Sequence, residues 1–205
     1  MYELENKYVP SSRRFGFVNW IGVWHLYKKE ILRFLTVWAQ TLFAPMITSI
    51  LFLLVISLAI GNERGNVLGV SFINFLAPGL IAMQIIQQAF SHSSSSLLMG
   101  KIMGNIVDMI AAPLSPGEVT ISIIFASITR ALMIAIASII VFSFLIDIEI
   151  NNILYIIIYI FLSSFILGAA GFIAGLWAEK FDHMATVTNF FIVPLSFLRS
   201  EEHTS

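Results

Sequence analysis

Apolar residues in this chain come in long, uninterrupted blocks. Residues 34–62, 65–100 and 150–178 contain no Asp, Glu, Lys or Arg, 119–146 contain only Arg130, and another uncharged run opens at 184–198. A helix needs ~20 mostly apolar residues to cross ~30 Å of hydrocarbon. The blocks predict membrane-spanning helices over 36–60, 72–90, 119–146 and 153–177, with a fifth, shorter run at 184–198. The expected fold class is all-α, a polytopic membrane helical bundle.

The polar intervals organise these spans. Residues 1–16 read as a cytoplasmic arm. Over 17–35, Phe17, Trp20, Ile21, Trp24, Tyr27, Ile31, Phe34 and Leu35 recur at helical spacing, opposite His25, Lys28, Lys29 and Arg33. An aromatic face opposite a basic face predicts an amphipathic helix in the membrane interface; a helix packed on protein has the same pattern. Pro45 marks a kink site in the first span. The serine string Ser91, Ser93–Ser96 reads as a polar, flexible connection. After it, Leu98, Ile102, Ile106, Met109 and Ile110 predict a short amphipathic helix over 97–112, with Lys101, Asn105 and Asp108 on one face. Pro113 closes it. Ser115-Pro116-Gly117-Glu118 then has the form of a helix start, with a Ser cap, Pro in the first turn and Glu at the capping-box position.

Within the fourth span, Ser164, Gly168, Gly171 and Gly175 form a stripe of small residues, which lets a second helix approach closely. Positive charge flanks the first span on its N-terminal side (Arg13, Arg14, Lys28, Lys29, Arg33), so the N-terminus is expected in the cytoplasm. Parity then puts 61–71 and 147–152 outside and 91–118 and 179–183 inside.

Composition agrees. Charged residues are 11% of the chain, against ~25% in soluble domains, and mean hydropathy is +0.90. The net charge of −1 gives no basic field for nucleic acid. Cysteine is absent, which removes disulfides and thiolate metal sites. The four histidines are scattered, so no metal site and no bound cofactor is expected. Gly100-Lys101 lacks the remainder of a phosphate-binding loop. Ser91-His92-Ser93 is no catalytic triad, and no nucleophile elbow is present. The chain is not expected to be an enzyme.

The polar groups inside the apolar blocks are therefore the candidates for function. Gln84, Gln87, Gln88 and Arg130 are expected on a substrate path or gate, although Arg130 could equally serve a structural pair. It sits about 18 Å along its helix from Glu118, where a lipid-facing cation would be costly. No Asp or Glu lies within a block, which argues against a self-powered ion-coupled carrier.

Several short motifs occur in an ordered series. They are Lys29-Glu30-Ile31, Arg33-Phe34, Trp38, Gln40-Thr41-Leu42, Pro45, Phe75, Pro78-Gly79-Leu80-Ile81, Asn105-Ile106, Ala111-Ala112-Pro113, Arg130, Phe181-Asp182 and Pro194-Leu195. In this order the chain resembles the membrane subunit of ABC-2 type exporters, in the bacterial branch of drug, nodulation-factor and polysaccharide permeases. The resemblance covers about residues 20–198. It implies six spans in the intact protein and residence in the bacterial inner membrane. It also implies a homodimeric permease with a second copy of this chain and two copies of a separate ABC ATPase subunit that hydrolyses ATP. It makes 97–112 the coupling helix, with Lys101, Asn105 and Asp108 toward the ATPase. Residues 199–205 depart from the pattern. They resemble a translated sequencing adapter joined to a truncated gene and are expected to lie outside the fold. A self-contained secondary carrier or channel is the alternative, and a membrane scaffold without transport a third class.

Overall fold

A computed structural model describes residues 18–60, 66–67, 70–146 and 152–194. Among the described residues seven helices follow in order: α1 (Trp20–Thr36), α2 (Trp38–Ile60), α3 (Phe72–Ile102), α4 (Ile106–Ala111), α5 (Pro116–Ser143), α6 (Ile153–Trp177) and α7 (Phe181–Val187). A π-helical turn, Thr188–Ile192, continues α7. Two-residue strands, Asn66–Val67 and Val70–Ser71, pair antiparallel in the link between α2 and α3. Helices α2, α3, α5 and α6 are each long and apolar enough to cross a membrane. The fold is an all-α polytopic bundle.

Its interior is built of small residues. Ala77 and Ala89 on α3 and Ala131 and Ala135 on α5 belong to one core, completed by Leu80, Ile81, Ile85, Phe142, Ile160 and Leu53. Large apolar side chains point outward, including Phe43, Ile47, Leu51 and Val55 on α2 and Ile157, Phe161, Phe165 and Ile173 on α6. Lipid tails are as apolar as leucine, so burial of leucine gives no net drive between spans. Close backbone contact does, and it needs small side chains.

Helix α3 is the central element, packed on α6, α5 and α2. Its 31 residues span about 46 Å, more than the hydrocarbon thickness. It does not stop near Phe90. The serine string lies inside it, and His92, Ser93 and Ser94 are fully buried. The expectation of a flexible connection there is overturned. Serine is small enough to let α6 approach, and Ser94 and Ser95 donate their hydroxyls to the carbonyls of Ser91 and His92 three residues back.

Nor is 97–112 one helix. Leu97–Ile102 finish α3, and the chain turns at Gly104 with φ +75° before the short α4. That left-handed conformation suits glycine because it has no Cβ to clash. Lys101 and Asp108 consequently sit on different helices, and the three polar residues share no helical face. The start of α5 follows the sequence motif. Glu118 N donates to Ser115 Oγ at 3.3 Å, and Ser115 N donates to Glu118 Oε2 at 2.6 Å, with Pro116 in the first turn.

Helix α1 packs along α5. It buries Leu26, Glu30 and Phe34 and exposes Trp20, Ile21, Trp24, Lys28 and Lys29. The buried stripe runs between the aromatic and basic faces, so α1 has three faces rather than two. Residues 1–17 and 195–205 lie outside the described residues, as do the N-terminal arm and the departing segment 199–205.

Candidate functional site

A polar seam follows one side of α3. Gln84, Gln88, His92 and Ser96 recur every four residues, so they stack on one face. Each is met by a polar group from another helix. Gln84 Nε2 donates to the Pro45 carbonyl at 3.1 Å and to Ser49 Oγ on α2, and its Oε1 accepts from Ser138 Oγ on α5 at 2.8 Å. Gln84 therefore ties three spans together with its amide satisfied on both sides.

One turn along, Gln88 Oε1 accepts a hydrogen bond from Arg130 Nη2 at 2.6 Å. Arg130 Nη1 lies 3.5 Å from His92 Nδ1. The guanidinium thus faces its neighbouring helix rather than lipid, as the cost of a lipid-exposed cation requires. His92 has no exposed surface and stacks edge-on against Phe34 at 5.9 Å. Its other ring nitrogen, Nε2, is 3.7 Å from Glu30 Oε2, too long for a hydrogen bond.

Glu30 ends the seam. It is 4% exposed. Arg33 pairs with it at 3.0 Å, and Ser96 Oγ donates to it at 2.8 Å. Arg33 Nη2 also donates to the His92 carbonyl at 3.4 Å. A buried carboxylate is tolerable only with such partners. The sequence pattern does not mark Glu30, His92 and Ser96 as functional. The signal that could have found them is the four-residue recurrence along α3, which the serine string hid by reading as a loop.

Between α2, α3 and α5 this seam opens into a half-open cleft of about 550 Å³. Gln40, Thr48, Ser49, Gln84, Gln87, Gln88, Ser91 and Arg130 line it, with Phe52, Leu80 and Met83. The structure therefore brings Gln84, Gln87, Gln88 and Arg130 together at one cavity.

The small-residue stripe lies elsewhere, at the crossing of α6 with α3 and α5. Ser164, Gly168, Gly171 and Gly175 are all buried. A Cβ on Gly171 would collide with the Phe90 carbonyl oxygen, one on Gly168 with Ser127 Oγ, and one on Gly175 would lie 2.9 Å from the Ser94 carbonyl oxygen.

The end of the bundle bearing α4 has its own polar ties. Lys101 Nζ donates to the Ala178 carbonyl at 3.0 Å and to that of Leu176. These carbonyls belong to the end of α6, where helical acceptors lack partners and a cation is favourable. Lys101 is thus an α6 cap. Asn105 and Asp108 are solvent-exposed, and α4 buries no residue. Asn19 links α1 to this end: its Oδ1 accepts from Gly22 N, its Nδ2 donates to the Pro113 carbonyl, and its N donates to Glu118 Oε1 at 2.6 Å.

Comparison with known proteins places this architecture. A family model described as ABC-2 type transporter matches residues 22–200. Inner membrane transport permease YadH of Escherichia coli (strain K12) is 28% identical over 179 residues, covering 87% of this chain and 70% of that protein. The permeases of the same name from Escherichia coli O157:H7 and Shigella flexneri match over the same shares at the same identity. No solved structure matches. The matched region takes in the four long helices, the seam and the cleft, and the chain belongs to the ABC-2 type transporter family as a multi-pass permease of the inner membrane.

Proposed function

We propose that this permease is the membrane subunit of an ATP-driven exporter. It forms the substrate path as a homodimer and is driven by two copies of a separate ABC ATPase subunit, on which ATP is hydrolysed. The cleft of α2, α3 and α5 is its share of the path. The observation that carries this reading is the lining: four glutamine amides and one guanidinium gathered in one cleft between apolar spans. Intramembrane polar groups are expensive, and they collect where a polar cargo or water has to pass.

In this reading α4 is the ATPase contact. It presents Asp108 and Asn105 together with exposed Val107 and Ile110, a polar-rimmed apolar patch of the kind partners cover. A push on α4 has two rigid routes into the membrane. One is α3, which runs without a break from Ile102 to the cleft. The other is the Asn19–Glu118 tie, which carries α1 with the start of α5. Lys101 adds a third attachment, to α6. The N-terminus and the α4 end then face the cytoplasm, and α1 lies in the interface with Trp20 and Trp24 toward lipid.

Asp108→Lys in the full chain, co-expressed with the ATPase, is expected to lower the amount of ATPase that co-purifies while leaving the permease in the membrane. Unchanged co-purification would remove Asp108 from the contact.

A further inference from the structure

The cleft carries information on the charge of its cargo. Arg130 is the one charged group among its described lining residues, and no carboxylate faces it there. Its guanidinium forms no ion pair among the described residues. Of its five donors, one is held at 2.6 Å by a neutral amide and a second reaches a ring nitrogen only at 3.5 Å. The Nε–H is buried with no partner. Glu30, the nearest carboxylate along the seam, stands beyond His92 and is already bound to Arg33 and Ser96. One carboxylate against two guanidinium groups leaves a positive charge over, and it sits at the cleft.

The lining is also polar at one end and apolar at the other. Gln40, Gln88 and Ser91 accompany Arg130. Leu80 lies eight residues before Gln88 on α3, about 12 Å along the axis, and Phe52 of α2 lines the same cleft. The outer face of α2 is apolar and exposed, so the cleft adjoins lipid.

We infer that the cleft receives an amphiphile whose headgroup is an oxyanion, such as a phosphate or carboxylate, with Arg130 selecting the charge. The inference rests on the cleft being the substrate path. An entering anion supplies the counter-charge that an intramembrane guanidinium lacks, with donors from Gln40, Gln88 and Ser91 completing its shell. A cationic amphiphile meets like charge with no carboxylate to offset it, which is a repulsive element as well as a missing attraction. The tail follows Leu80 and Phe52 toward lipid.

The chain has no cysteine, so Thr48→Cys gives a single thiol in the cleft and Ile158→Cys a single thiol on the lipid face of α6. The full chain is placed in discs of zwitterionic lipid. Maleimide labelling is then timed against dodecyl phosphate, dodecyltrimethylammonium and inorganic phosphate. Dodecyl phosphate should protect Thr48→Cys, and not Ile158→Cys, at a concentration at least about tenfold lower than the cation. Arg130→Gln should abolish that preference and Arg130→Lys should retain most of it. Equal protection by the cation overturns the inference without any variant, and so does a preference that survives Arg130→Gln. Protection by inorganic phosphate alone, at the same concentration, overturns the amphiphile and assigns the site to a free oxyanion. Failure of every probe, while labelling of Thr48→Cys still responds to ATP on the ATPase partner, overturns the charge selection and leaves the substrate path standing. A cleft thiol indifferent to ATP removes the path itself.

Discussion

Gly171 shows how much one missing atom matters in this bundle. Its Cα lies against the backbone of Phe90, and a side chain there has nowhere to go. Gly171→Leu is expected to separate α6 from α3, at a cost of about 1–3 kcal/mol from overpacking. Thermal unfolding followed by size-exclusion fluorescence should show a lowered midpoint or loss of the monodisperse peak. Gly79, whose Cβ position meets nothing within 4 Å, is the control: Gly79→Ala should be neutral. A normal midpoint for Gly171→Leu would remove the close-packing account. The stripe was legible in the sequence because small residues at spacings of four, three and four project to one side. Arg130 and the glutamines were legible for another reason, since a polar group in an apolar block stands out. Glu30 and His92 were not. Glu30 sits in a charged stretch where a carboxylate is ordinary, and its burial depends on α3, whose Ser96 arrives 66 residues later.

At the scale of elements, the main surprise is the continuity of α3. Hydropathy falls across Ser91–Ser96, and a drop in hydropathy reads as the end of a span. The fall has a different cause here. Ser93 and Ser94 face the glycine stripe of α6 and are small for that reason, while His92 and Ser96 face α1 and α5 and are polar because Glu30 and Arg130 stand there. Sequence reports composition, but which face each residue serves is set by partners distant in the chain. The capping box of α5, by contrast, is local, and its four residues suffice to specify it. That box also holds α1, because Glu118 Oε1 accepts from Asn19 N while Oε2 accepts from Ser115 N. Glu118→Ala should therefore free two helix starts at once. Hydrogen–deuterium exchange is expected to rise in residues 19–23 as well as in 115–119. A rise confined to 115–119 would mean that α1 is held by its packing on α5 alone.

Over the whole molecule, lipid as solvent explains where side chains point, and the seam explains where it is resisted. Large apolar residues cover the outside, alanines, serines and glycines bring the spans together, and the polar residues are gathered into one line from Glu30 to Gln84. That line runs from the buried side of α1 to the cleft as a series of polar contacts along α3, the helix that in the proposed function also receives the push from α4. Such a structure transmits motion if it has two arrangements that the partner can bias. The direct measurement is the rate at which a maleimide labels Thr48→Cys in membranes containing the permease and its ATPase, with and without ATP held in a non-hydrolysing state. The account predicts that trapping ATP changes this rate several-fold while Ile158→Cys on the lipid face is unaffected. Equal rates at Thr48→Cys in both states would contradict it, because the cleft would then not be coupled to ATP.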